Sequence, residues 1–184
     1  MTHPRIGFAC KWIDTPEECA GRKPTSESRD LNGRSTTMRW LREHPEEAEQ
    51  RQWDIMNHNA AAALRMVERV GSLRPELRMV MLQGYTEPSW INWWQQPDVQ
   101  SHLAKIFAPV GEAARRLGVR LSFHPGQFCV LASESEDIVN RSILEFEYHA
   151  DMARWMGYGK TFQDFKINVH ISGRRGPLGL RQVL

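Results

Sequence analysis

Four short apolar runs, separated by stretches with helical periodicity, organise this chain. The first, RIGFAC (5–10), reads as a strand. Residues 14–44 follow, rich in charge, Gly, Pro, Ser and Thr, and are expected as a long loop insertion. Connections of that size are usually functional or mobile. A helix is expected from Pro45, because proline suits the first helical position and Glu46, Glu47 and Glu49 suit the positive end of the helix dipole. Trp53, Met56, Ala60, Leu64 and Val67 recur at spacings of three and four and give it one apolar face. Gly71 stands where a glycine can end a helix.

The second unit starts with LRMVMLQ (77–83), a strand run, followed by a loop holding Trp90, Trp93 and Trp94. A helix over 98–117 presents Leu103, Ile106, Phe107, Val110, Ala114 and Leu117 on one side. Pro109 is expected to kink it, and Gly118 to cap it. The third strand covers 119–124. Ser133 and Glu136 form a capping-box signature ahead of a helix with Ile138, Val139, Ile143, Phe146 and Ala153 on its apolar side. A fourth strand ends at His170, and residues 171–184 read as a Gly/Arg-rich loop with one turn of helix.

Strands alternating with helices argue an α/β fold with a parallel sheet. Two strands end alike, RLSFH (120–124) and KINVH (166–170). Alternation puts Leu121 and Phe123 on one face and Ser122 and His124 on the other, and likewise opposes Ile167 and Val169 to Asn168 and His170. Histidines at carboxyl ends of parallel strands stand where (β/α)8 barrels of the TIM type build their active sites. Such barrels typically take about 250 residues. The 184-residue chain is therefore expected to be a single domain holding only about the first four β/α units, or else an unusual open sheet.

Composition narrows this little. A hydrophobic content of 41% with 25% charged residues is that of an ordinary globular protein, and a net charge of +2 is too small to argue for a nucleic-acid partner. Three widely spaced cysteines without a CxxC pair fit a reducing compartment. No apolar run approaches the roughly 18 residues of a membrane span, and the start lacks a signal-peptide layout. No membrane partner is expected, and the cytoplasm is the expected location.

Two matched imidazoles suggest a divalent-metal site, although two histidines do not complete one and no acidic residue stands at an equivalent strand end. After His124, Pro125 and Gly126 force a turn that sets Gln127 and Phe128 at a loop tip. An amide beside an aromatic can bond a base edge and stack on its face, whereas the bland alternative is a core Phe128 and a solvated Gln127. Arg174 and Arg175, close behind His170, are the candidates for phosphate contact, and Trp12, just past strand one, is a candidate to line the site. His58, His102 and His149 fall within helices and are expected on the surface or supporting a ligand. No adjacent base marks Cys129 as a nucleophile.

RIGFAC (5–10), LSFHPGQF (121–128), NRSILEFEYH (140–149) and KINVHI (166–171) resemble the UV damage endonucleases, in the family's order and across most of the chain. The HPGQ-aromatic loop is the specific element. The resemblance implies a (β/α)8 barrel related to apurinic endonuclease IV, with a divalent-metal cluster, often manganese, zinc and magnesium being the other options. It implies a DNA repair enzyme that nicks damaged double-stranded DNA on the 5′ side of ultraviolet photoproducts. By position, His124 and His170 match two metal ligands, and Gln127 and Phe128 match the Gln-aromatic pair that enters the duplex at the lesion. Phe8 stands where several members have a tyrosine. The family's other ligands and its catalytic residues are expected beyond residue 184.

The mechanism so implied is metal-assisted phosphodiester hydrolysis on a bent, locally opened duplex. Two other readings stand beside it: a truncated half barrel that binds damaged DNA without cutting, and a metal-dependent barrel of the sugar isomerase type. Either a second half-barrel chain or a second copy is expected to cover the raw sheet edges.

Overall fold

The structure is a computed structural model, and it describes residues 7–9, 11–23, 28–77, 79–83, 91–126, 129–161 and 164–169. Four parallel strands, β1 (Phe8–Ala9), β2 (Met79–Gln83), β3 (Arg120–His124) and β4 (Lys166–Ile167), lie side by side in chain order. Parallel neighbours need crossover connections. These carry the long helices α2 (Ala48–Gly71), α4 (Pro97–Leu117) and α5 (Glu136–Trp155), with the short α1 (Met38–Glu43) and α3 (Ile91–Trp94) ahead of α2 and α4. The α/β alternation read from the sequence is therefore the observed one.

The core lies between these helices and the sheet. Met56, Ala60, Ala63, Val67 and Val70 of α2 are buried with Leu103, Phe107, Val110 and Ala114 of α4 and with Leu121 and Phe123 of β3. Trp93 and Trp94, expected in a loop, form the end of α3 and are buried in the same cluster. Two glycines set how closely the helices approach. A Cβ on Gly71 would lie 2.6 Å from Leu117 Cδ1, and one on Gly111 would lie 1.8 Å from the carbonyl oxygen of Met156. Gly71 is the last residue of α2 rather than its cap, which is Ser72, so it serves packing and not the turn. Gly118 does cap α4, in the left-handed region at φ 65°. The helix itself runs through Pro109.

Within the segment expected as a loop, Met38–Glu43 is helical, started by Thr37, whose hydroxyl accepts from the Trp40 N–H. Several of the segment's other described residues are strapped to α2. Asn59, fully buried on α2, accepts from the Arg34 N–H at 2.6 Å and donates to the Arg34 carbonyl at 2.9 Å. Asn32 does the same for Trp12, accepting at 2.7 Å and donating at 2.8 Å. The Arg65 guanidinium donates to the Asp30 carbonyl, and Arg69 pairs with Glu18 while covering the Trp12 ring.

Helix α5 departs from its expected pattern at both its start and its face. Ser133 accepts from the Ser135 N–H two residues on, and Ser135 is the N-cap without a side-chain bond, so the capping box does not form. The buried positions are Ser142, Tyr148, His149, Met152, Ala153 and Trp155, while Ile143 is 45% exposed. Among the described residues no helix is long and apolar enough to cross a membrane.

Candidate functional site

Strand β3 lies in register with β2, so Gln83 stands opposite His124 at the carboxyl ends of both. Its alternation is the predicted one: Leu121 and Phe123 join the hydrophobic cluster, and Ser122 shares the opposite face with the half-buried His124. On the other side of β3, the Asn168 N–H donates to the Phe123 carbonyl just after β4. His170, two residues further, lies outside the described residues, as do Gln127, Phe128, Arg174 and Arg175. Phe8 is in β1, opposite Val80. Trp12 engages Asn32 and the guanidinium of Arg69, so its placement serves the segment strapped to α2.

The loop that leaves β3 is tied down on both sides of the Gln127–Phe128 pair. Pro125 is buried and Gly126 is exposed. The Gly126 N–H donates to Glu145 Oε1 at 2.6 Å, and the Gly126 carbonyl accepts from the Cys129 N–H at 2.9 Å. The next residue, Val130, donates its N–H to Ser142 Oγ at 2.8 Å, and that hydroxyl donates in turn to the Ile138 carbonyl one turn back. Ser142 and Glu145 are three residues apart and His149 a further four, so all three share one face of α5. This stripe explains why α5 buries polar residues where an apolar face was expected. The backbone it meets is a loop with N–H groups to satisfy, and such groups require acceptors.

His149 is buried at 2% exposure, so of the two places expected for it, the surface or a supporting position, the surface is ruled out. Its Nδ1–H donates to the Glu145 carbonyl at 2.6 Å. Burial lowers its pKa most, the hydrogen bond to Glu145 opposes this, and the charge of His124 lowers it further. A neutral ring is the result. The thiol of Cys129 is pushed up to about 12, chiefly by burial and then by the charge of Glu145, so it offers no thiolate for attack. His58 bonds the Asn32 carbonyl, and His102 bonds Asn57 and meets Trp53 edge-on, so both tie structural elements together.

A metal site fits these residues only in part. Among the described residues no three His, Cys, Asp or Glu side chains come together in a way that could hold a metal ion. His124 is one donor at a strand end, and catalytic metals usually take three protein ligands or more. Glu145 and Ser142, which bond the loop backbone, were not singled out by sequence reasoning, whereas His149 was expected on the surface or supporting a ligand. The polar 142/145/149 spacing along one side of the helix was the available signal.

Comparison with known proteins bears on the whole arrangement. Residues 5–179 match the family described as UV-endonuclease UvdE. A putative UV-damage endonuclease of Acanthamoeba polyphaga mimivirus is 27% identical over 179 residues, covering 94% of this chain and 48% of the viral protein. A UV DNA damage endonuclease of Bacillus pumilus is 30% identical over 79 residues, 43% of this chain and 24% of that one. The crystal structure of SacUVDE superposes with a TM-score of 0.68 at 22% identity, covering 98% of this chain and 54% of that one. The chain thus spans about half the length of these longer matches.

Proposed function

The chain belongs to the UV-endonuclease UvdE family, and from that premise we propose that it is part of an endonuclease that nicks DNA on the 5′ side of ultraviolet photoproducts. The observation that carries the proposal is the loop after β3. A strand-end histidine leads into a Pro-Gly turn whose backbone is fixed to α5 on either side of Gln127 and Phe128. In this reading the pair enters the duplex at the lesion, and the bent, opened DNA brings its backbone to the carboxyl ends of the strands. The four parallel strands form the first part of a (β/α)8 barrel, consistent with the likeness in fold to SacUVDE.

His124 and His170 are the residues of this chain that would hold a divalent metal, manganese in the first instance. Bound there, such an ion would supply Lewis acidity at the phosphate and an activated water. The described residues do not complete its ligand set. What this chain's own residues do is hold the backbone on either side of the pair. His170→Ala should weaken both metal binding and nicking, and Phe128→Ala should impair lesion selection more than metal binding.

A second reading is a half barrel that binds damaged DNA without cutting it. Incubating the full-length protein and manganese with irradiated and unirradiated supercoiled plasmid separates the two. Relaxation of only the irradiated plasmid is the expected result. Retention of irradiated DNA without strand breaks would favour the binding half barrel, and equal treatment of both plasmids would overturn lesion recognition altogether.

A further inference from the structure

We propose that Glu145, assisted by Ser142, is a positioning residue that presets the Gln127–Phe128 loop and so determines how well damaged DNA is told from undamaged DNA. The inference rests on the reading of that loop as the lesion-entering element. Glu145 holds the residue immediately before the pair through the Gly126 N–H, and Ser142 holds Val130, two residues after it. A bond from a backbone N–H to a carboxylate is about twice as strong as a neutral one. The absence of a Cβ at position 126 is part of the fit, since one would sit 3.3 Å from Glu145 Oε1.

The brace stands on a rigid base. Tyr148, His149 and Met152 anchor the next turn of α5 in the core. The His149 ring lies against Phe123 and its Nδ1–H holds the Glu145 carbonyl. Phe123 directly precedes His124, so a closed circuit runs from the strand through His149 and Glu145 back to Gly126. The backbone at Gly126, which leads into the pair, is thereby fixed relative to the strand-end histidine. A preset loop enters DNA without the ordering cost that a free loop would incur on binding.

The charge of Glu145 sharpens the argument. A carboxylate beside a loop that approaches DNA opposes binding of a polyanion. A glutamine at 145 would accept the same N–H without that repulsion. If the brace is the role, Glu145→Gln should keep lesion preference and bind all DNA as well as before or better. If the charge itself were the role, it should not.

The test measures equilibrium binding of full-length wild type, Glu145→Gln, Glu145→Ala and Ser142→Ala to two duplexes. They are identical except for one ultraviolet photoproduct, and chelator prevents cleavage. Preference for the damaged duplex should fall about tenfold in Glu145→Ala, as expected for one charge-assisted bond, and several-fold in Ser142→Ala. It should be retained in Glu145→Gln, with unchanged far-ultraviolet circular dichroism throughout. Unchanged preference in a folded Glu145→Ala, or equal loss in Glu145→Gln, overturns the proposal. Should Glu145→Ala not fold, Ser142→Ala decides, and unchanged preference there overturns it. A wild type without any preference would sink the lesion-endonuclease reading first, and the brace with it.

Discussion

The imidazole of His149 stands edge-on to the ring of Phe123, their centroids 5.2 Å apart and their planes at 78°. Helix α5 is thereby fixed to the last turn of side chains before the strand-end histidine. Edge-to-face pairs contribute about 0.5–1.5 kcal/mol beyond the area they bury. His149→Ala should therefore destabilise the fold by roughly 2–4 kcal/mol, as for a large buried side chain. Its Nε2 is buried and finds no partner among the described residues, so His149→Phe should lose much less. Urea unfolding of the two variants checks this; equal losses would mean that the ring contact is not what holds the histidine.

Cys129 gives a pH dependence. Its thiol stays protonated up to about 12 in the folded chain, against an ordinary value of 9.0. The unfolded chain releases that proton first as pH rises. The contribution to stability is thus fully present below about pH 9, falls as pH climbs past it, and levels off near 12. The stability of Cys129→Ala should fall less steeply over that window than that of the wild type. Native protein at pH 8 should also resist alkylation at Cys129 until denaturant is added, which peptide mass spectrometry reads directly.

Asn59 satisfies both backbone groups of Arg34 with one amide. Removing it in Asn59→Ala should cost about 1–3 kcal/mol and open residues 28–37 to protease. Asn59→Asp should fare worse at neutral pH, because it loses the donor and places a charge in a fully buried position. Thermal melts with limited proteolysis would show both effects, and protease resistance in Asn59→Ala would mean that other contacts hold the segment.

Gly111 lies where α4 passes the carbonyl of Met156 at the end of α5, and a methyl group there has no room. Gly111→Ala should destabilise by about 1–3 kcal/mol or more through forced separation of the two helices. A neutral outcome in urea unfolding would show that the helices yield easily.

The large features of this fold were legible because they rest on local periodicity. The 3.6-residue pattern from Trp53 to Val67 and from Leu103 to Leu117 gave α2 and α4. Alternation in RLSFH gave β3 with its histidine on the face opposite Leu121 and Phe123. Gly118 announced its own left-handed cap. Helix α1 was missed because Thr37 caps only six residues, too few to show a period. The glycines at 71 and 111 were illegible for another reason: their meaning lies in Leu117 and Met156, far along the chain.

The candidate site was only half legible. His124 and the turn after it could be seen, since Pro-Gly constrains the backbone wherever it occurs. What holds that turn could not. Ser142 and Glu145 occupy positions that an amphipathic helix would fill with apolar side chains, and only the folded loop explains them. Local rules broken in this way tend to mark functional surfaces.

The bond pair between Asn59 and Arg34 also makes a claim about descent. A helix position and a loop position 25 residues apart share one job, and neither is satisfied without the other. In relatives that shorten residues 28–37, selection on position 59 should lapse, and an apolar residue should stand there instead. Length variation in the loop and residue identity on the helix should then be inherited together, as a single trait.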